Sequence, residues 1–210
     1  MRSFVSARWA RLLAGLALFG IGIALMVRSR LGLSPWEVLH QGITLHTGIP
    51  IGTVSIAMGL PLLLLWLPLG QRPGWGTLLN IVLIGLITDL SLLVLPATES
   101  LAARAALVTV GIAMIGLGSG LYLGADMGAG PRDGLMMGLA RRTGLSVRLI
   151  RTAIELSVLA AGWLMGGTVG IGTVAFALGI GPVVQQAMRM LGLPPKKPVP
   201  AVAQPVMRNA

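Results

Sequence analysis

The chain has 210 residues, of which 55% are hydrophobic and only 10% are charged, and its mean hydropathy is +0.87. Soluble proteins carry about 25% charged residues, so this composition excludes a water-soluble globule and indicates an integral membrane protein. Its 16 Lys and Arg against 6 Asp and Glu give a net charge of +10, and it has no cysteine, which excludes disulfides, thiolate metal sites and cysteine nucleophiles.

Six apolar segments follow one another along the chain, five of them continuous and the sixth interrupted by glycine. Each has about 17–25 residues, the length that crosses the ~30 Å hydrocarbon layer. The first follows several arginines, as a signal peptide would, but no small-residue cleavage site comes after it, so we expect a retained span. The predicted spans are residues 9–27, 49–69, 75–95, 101–125, 149–165 and 171–190.

Lysine and arginine are unequally divided between the two sides that six spans create. With the N-terminus inside, thirteen lie on the inner side and three, namely Arg28, Arg30 and Arg104, lie on the outer side. The positive-inside rule therefore predicts that both termini are cytoplasmic. It also explains the basic charge without a nucleic-acid partner. The proline-rich tail, residues 192–210, is predicted to be disordered in the cytoplasm.

The chain repeats itself at a constant offset of 96 residues. Residues 31–49 and 127–145 share glycine, proline, leucine and threonine at matching positions, and glycines upstream and downstream keep the same offset. Each unit has three spans, so the second unit enters the membrane from the opposite side. We therefore predict an all-α integral membrane fold of six transmembrane helices, arranged as two inverted three-span repeats at residues 9–95 and 101–190.

Each repeat is also predicted to hold a short helix, at residues 35–47 and 131–143. The first begins Ser-Pro-Trp-Glu, which has the serine and N3 acid of a capping box, and the second begins Gly-Pro-Arg-Asp. Gly48 and Gly144 fit a left-handed C-terminal stop. About 13 residues give a length of ~20 Å, which is too short to span, so each short helix is re-entrant or interfacial.

Three segments of the chain resemble the YczE-type branch of the YczE/YyaS/YitT group of bacterial multi-pass membrane proteins. They read LGLSPWEVLHQGI, GAGPRDGLMMGLARRTGLSVRLIRTAIE and GGTVGIGT. The likeness extends over roughly residues 10–190, without the soluble C-terminal domain of YitT-type members. It implies a bacterial plasma-membrane location and brings no established substrate or reaction.

Two acids, Glu37 and Asp133, hold equivalent positions at the start of the two short helices. They are either helix caps or part of a central site between broken helices, as in inverted-repeat transporters. Their neighbours Trp36 and Arg132 are either site residues or an interfacial anchor and a snorkelling charge. Because the acids partly offset the positive helix ends, we expect a cation or a polar solute rather than a bare anion.

Asp89 lies in an apolar span with no basic residue within a helical turn or two, so it is a functional hypothesis by default. It either binds a proton or cation, with its repeat mate Gln185 as a neutral counterpart, or merely joins two helices. Glu155 is expected to pair with Arg151, four residues earlier.

Two functions remain open: a secondary transporter or carrier of a small solute or ion, and a non-transporting accessory protein that binds a cytoplasmic partner or anionic lipid. No enzyme, cofactor or metal is predicted, because no nucleophile–base pair stands out and the only histidines, His40 and His46, have the wrong spacing for a helical metal pair. The candidate substrate- or ion-binding residues are Ser34, Pro35, Trp36, Glu37, Asp89, Gly130, Pro131, Arg132, Asp133, Glu155 and Gln185. The candidate partner- or lipid-binding residues are Arg141, Arg142, Arg148 and Arg151.

Overall fold

The computed structural model describes residues 2–192, with side chains from residue 6 onward, and all the regular structure in that range is helical. The predicted disorder of the tail falls on residues 193–210, outside the described residues. The eight helices of the described part are α1 (Arg2–Ser29), α2 (Pro35–Thr47), α3 (Ile51–Trp66), α4 (Trp75–Val94), α5 (Leu101–Gly124), α6 (Pro131–Thr143), α7 (Val147–Leu164) and α8 (Ile171–Met190).

Four of these helices, α1, α4, α5 and α8, are long and apolar enough to cross a membrane. The pair α2 and α3, bent by 112°, adds a fifth span if the two are counted as one. The predicted six spans correspond to the four helices plus α3, which has 16 residues, and α7, which has 18 residues and three charged side chains. Neither α3 nor α7 meets the length and composition condition alone. The chain is an all-helical, multi-pass membrane protein.

The helix boundaries follow the 96-residue offset of the sequence. The short helices α2 and α6 have 13 residues each and start at Pro35 and Pro131. The long helices α4 and α8 have 20 residues each and start at Trp75 and Ile171. Equivalent stretches of sequence have thus formed equivalent helices.

The helices α1 and α5 pack closely and in opposite directions, through glycines. A Cβ atom on Gly15 would lie 2.7 Å from the carbonyl oxygen of Gly118, and one on Gly22 would lie 2.8 Å from that of Gly111. Only glycine permits backbones to come this near. Gly111 and Gly118 are the 96-residue equivalents of Gly15 and Gly22. The same glycine contact therefore occurs twice, once in each direction between the two halves.

A second reciprocal contact fixes the start of α4 and of α8. The amide of Gly76 donates to the carbonyl of Met127 at 2.8 Å, and the amide of Gly172 donates to the carbonyl of Leu31 at the same distance. These four residues form two pairs related by the 96-residue offset. Each half therefore anchors the loop before the short helix of the other half.

The two ends of the short helices were predicted with different success. The left-handed stops are confirmed, because Gly48 and Gly144 have φ angles of 72° and 74°. The capping box is wrong, because the Ser34 side chain makes no capping hydrogen bond and Glu37 bonds elsewhere. The hydrogen bond between Glu37 and Arg132, which joins the two halves, has replaced the local capping bond that the sequence predicted.

The two halves are not packed identically. In the first half α3 lies against α4 with Gly52 and Gly85 in backbone contact. The equivalent residues, Arg148 of α7 and Gly181 of α8, are not in such contact, because a Cβ on Gly181 would meet nothing within 4 Å. Instead α7 packs mainly on α2, where Gly162 meets the backbone of Leu39. The α7–α8 interface is open where the α3–α4 interface is closed.

Candidate functional site

A cavity of about 190 Å³ lies where the first turns of α2 and α6 come together. Its remaining walls come from the long helices and from α3 and α7. The structure thus brings the starts of the two short helices to one cavity, which is one of the two alternatives that the sequence left open. Eight of the eleven candidate binding residues line this cavity, namely Ser34, Pro35, Trp36, Gly130, Pro131, Arg132, Asp133 and Glu155.

An ion pair joins the two short helices beside the cavity. Arg132 donates from Nη2 to Oε1 of Glu37 at 3.0 Å, and the Glu37 side chain is only 6% exposed. The Arg132 guanidinium also lies 4.8 Å from the centre of the Trp36 ring, within the range of a cation–π contact. His40, buried one turn along α2, has Nδ1 at 4.0 Å from the same Glu37 oxygen. Arg132 therefore contacts both its repeat equivalent, Trp36, and the neighbouring Glu37 in the other half.

Trp36, for which the sequence left open a site residue or an interfacial anchor, is buried, and so is Trp66. Their residues are 6% and 2% exposed, so both are core residues. Trp66 donates from Nε1 to the carbonyl of Pro131 at 2.9 Å, which fixes the start of α6. Trp36 Nε1 is buried and has no hydrogen-bond partner within residues 2–192. Trp36 thus combines a place in the cavity lining with a donor that has no partner among the described residues.

Asp133 is the second acid of the site and has a different environment from Glu37. The hydroxyl of Tyr122 donates to Asp133 Oδ2 at 2.8 Å. Among the described residues Asp133 forms no ion pair. A Cβ on Gly130 would lie 3.2 Å from both of these oxygen atoms, so glycine at this N-cap keeps the space above the carboxylate free.

The predicted pair of Arg151 and Glu155 is confirmed, with Nε and Oε1 2.8 Å apart. Both residues line the cavity from α7, and their side chains are 53% and 31% exposed. The cavity therefore reaches the surface along this face of α7, where the α7–α8 interface is open.

Asp89 and Gln185 lie away from the cavity lining. Asp89 accepts from the amides of Gly52 and Thr53 at 2.7 and 2.8 Å and from the Thr53 hydroxyl at 2.8 Å. It therefore caps the N-terminus of α3, and its contacts agree with the alternative that it joins two helices. Gln185 is exposed on α8. The structure does not bring the two residues to one site.

The arginines proposed as a partner or lipid surface lie at the end of α6 and the start of α7. Arg141, Arg142 and Arg148 are exposed and lie outside the cavity lining. Arg142 donates from Nη1 to the carbonyl of Pro68 at 3.1 Å. Arg151 alone of the four lines the cavity.

Several lining residues were missed by the sequence reasoning. His40, considered from the sequence only as a metal ligand, is buried in α2 and lines the cavity. Tyr122 and Asn80 received no assignment, although each is a polar residue within an apolar helix. Aromatic residues carried the clearest unused signal, because four of the nine in the chain line this cavity: Phe19, Trp36, Tyr122 and Phe176.

Comparison with known proteins places the chain among membrane proteins without an assigned activity. An uncharacterized protein of Haemophilus influenzae is 43% identical over 89% of this chain and 86% of its own length. The uncharacterized membrane protein YczE of Bacillus subtilis is 38% identical, over 85% of this chain and 84% of its own. The uncharacterized protein YyaS of the same bacterium is 27% identical, over 76% of this chain and 81% of its own.

No solved structure matches the chain. The model of a family of unknown function, DUF6198, matches residues 6–189. This match and the similarity to YczE and YyaS confirm the resemblance inferred from the sequence. The chain belongs to the DUF6198 family and is of the YczE type.

Proposed function

We propose that the protein is a secondary transporter of a small polar solute, with its binding site in the cavity between α2 and α6. The observation that carries the proposal is the meeting of two repeat-related helix starts at one cavity. Transporters with inverted repeats bind their substrates at such broken-helix ends. The ion pair between Glu37 and Arg132 supports this, because it couples the two halves beside the site.

The proposal includes the six-span topology, with the repeats at residues 9–95 and 101–190 inverted in a bacterial plasma membrane and both termini cytoplasmic. The antiparallel, reciprocal packing of α1 and α5 supports inversion, since an in-plane two-fold axis relates such helices. In this topology α7 is a span whose charged pair, Arg151 and Glu155, faces the cavity rather than lipid.

The unequal packing of the two halves supports alternating access. With the N-terminus inside, the start of α3 and the end of α4 lie on the outer side, and their interface is closed by Gly52, Gly85 and Asp89. The start of α7 and the end of α8 lie on the cytoplasmic side, and their interface is open. The cavity would thus face the cytoplasm in this conformation, and exchange of the two packings would turn it outward.

Disulfide trapping in proteoliposomes tests the proposal, because the chain has no cysteine of its own. One variant combines Thr53→Cys with Asp89→Cys across α3–α4, and the other combines Leu149→Cys with Gln185→Cys at the equivalent positions of α7–α8. A transporter forms both disulfides, loses solute flux with either, and regains it on reduction. The four single variants are the controls for effects on folding.

A second candidate, a non-transporting accessory protein, is favoured by one observation. Residues 141–149 are all exposed and include three arginines, which is a surface suited to anionic lipid or an acidic partner. Such a protein does not need to close the α7–α8 interface. A purified protein that forms only the α3–α4 disulfide and shows no flux in liposomes would favour this candidate over a transporter.

A further inference from the structure

We infer that the cavity binds a small zwitterion of the α-amino-acid class, with its carboxylate at the start of α2 and its ammonium group at Asp133. The inference concerns what binds and rests on the proposed function only for the location of the site. Three features of the cavity support it: unused donors at the start of α2, an acid without an ion pair at the start of α6, and apolar residues in the lining.

The unused donors lie at the start of α2. Trp36 Nε1 is buried without a partner in the described part of the chain, and Trp36 lines the cavity. The first-turn amides of a helix have no intrahelical acceptor, and Ser34 makes no capping hydrogen bond to them. Glu37, the acid that could have capped this end, bonds Arg132 instead. A ligand carboxylate accepts from such donors and is stabilised by the helix dipole.

The unpaired acid lies at the start of α6. Glu37 is neutralised by Arg132, and Glu155 is neutralised by Arg151. Within the described part of the chain, the hydroxyl of Tyr122 is the one hydrogen-bond partner of the Asp133 side chain, and a hydroxyl does not balance its charge. An ammonium group would do so and would form a charge-assisted hydrogen bond. The glycine at position 130 leaves room for it beside the carboxylate.

A ligand with one charge leaves part of this site unsatisfied. A carboxylate alone would place a second negative group in the same cavity as Asp133. An ammonium ion alone would leave the Trp36 N–H and the start of α2 without an acceptor, at the cost of unpaired buried groups. A zwitterion satisfies both ends and adds no net charge.

The walls and size of the cavity define the rest of the ligand. Phe19, Ile84, Phe176 and Ile180 are apolar residues of its lining. Its volume of about 190 Å³ lies below the ~300–1,000 Å³ of pockets that hold drug-sized molecules. The ligand is therefore small and carries an apolar side chain.

Calorimetric titration of the purified full-length chain in detergent tests the charge pattern. Three compounds of one shape serve as probes: L-leucine, 3-methylbutylamine, which lacks the carboxylate, and 4-methylpentanoate, which lacks the ammonium group. We expect L-leucine to bind at least tenfold more tightly than either of the others, because each of them loses one charge-assisted contact.

Two conservative variants assign each charge to its partner. Trp36→Phe keeps an aromatic ring and removes the N–H, so it should weaken L-leucine about tenfold and leave 3-methylbutylamine unchanged. Asp133→Asn keeps the shape and removes the charge, so it should weaken L-leucine at least tenfold and should not weaken 4-methylpentanoate, whose carboxylate then has no second negative group beside it. Trp163→Phe is the matched control, because Trp163 is 64% exposed and lies outside the cavity lining. Melting temperature and gel filtration establish that each variant is folded.

The inference is overturned if none of the three probes binds, if one singly charged probe binds as tightly as L-leucine, or if both variants behave like Trp163→Phe. These binding data are independent of transport. Binding with the expected pattern but without flux in liposomes would refute the transporter alone, and flux of another solute without L-leucine binding would refute the zwitterion alone.

Discussion

At the scale of single residues, the acids at equivalent sequence positions have different roles. Glu37 and Asp133 are both third in their short helices, yet Glu37 is ion-paired with Arg132 and Asp133 is hydrogen-bonded to Tyr122. The difference arises because position 132 is arginine while its equivalent, position 36, is tryptophan. This difference between positions 36 and 132 thus gives Glu37 an ion pair and leaves Asp133, among the described residues, without one.

Glu37→Gln should lower stability more than an average surface change. It replaces the carboxylate that accepts from Arg132 by a neutral amide, and a hydrogen bond to a charged group contributes about 1.5–3 kcal/mol. A double-mutant cycle with Arg132→Gln, followed by thermal melting in detergent, isolates the pair. We expect a coupling of about 0.5–3 kcal/mol. Strictly additive losses would mean that the two side chains do not interact.

Asp89→Asn should destabilise α3 without altering the cavity. The neutral amide is a weaker acceptor for the amides of Gly52 and Thr53, and loss of a cap costs about 0.5–2 kcal/mol. Gln185→Ala is the matched control at the equivalent, exposed position, where we expect less than ~0.5 kcal/mol. Equal melting temperatures for the two variants would contradict the capping role.

At the scale of elements, the sequence predicted the helices well and their partners poorly. Helix starts at Pro35, Trp75, Leu101, Pro131 and Ile171 agree with the apolar runs and with proline at the first helical position. Those signals are local, and local physics determines helix ends. The Glu37–Arg132 pair joins residues 95 positions apart, and no local pattern encodes such a contact. For the same reason, no local pattern predicts that His40 and Tyr122 line the cavity.

The glycine contact between α1 and α5 gives a prediction for helix packing. Gly22→Ala should destabilise the protein, because the new Cβ would lie 2.8 Å from the Gly111 carbonyl and 2.7 Å from the Ile115 side chain. Overpacking of this kind costs about 1–3 kcal/mol. Gly179→Ala in α8 is the control, since its Cβ would meet Ile112 at an ordinary 3.7 Å and alanine favours helices. The order of their melting temperatures tests whether close backbone approach requires Gly22.

At the scale of the whole molecule, the 96-residue offset gives the two halves corresponding helices, and the residues that differ between the halves pack those helices unequally. The amides of Gly76 and Gly172 make the same hydrogen bond to the other half, so this contact is common to both halves. Replacement of the small Gly52 by Arg148 and of the large Trp66 by Gly162 moves α7 from α8 towards α2. The cavity opens on the side where the packing diverged. The unequal packing thus leaves the α3–α4 interface closed and the α7–α8 interface open.

The inverted topology gives a prediction for the whole molecule, which a matched cysteine pair tests. Ile49→Cys and Leu145→Cys occupy equivalent positions after the two short helices, and both side chains are well exposed, at 44% and 48%. If the repeats are inverted with the N-terminus inside, a membrane-impermeant maleimide should label Ile49→Cys in intact cells. It should label Leu145→Cys only after the membrane is permeabilised, because three spans and the local arginines place that position in the cytoplasm. Equal exposure of the two positions means that they react at similar rates once the membrane is open, so a difference in intact cells reports sidedness alone. Labelling of both cysteines from the outside would refute the inversion. It would also refute the proposal that the closed α3–α4 interface and the open α7–α8 interface alternate during transport.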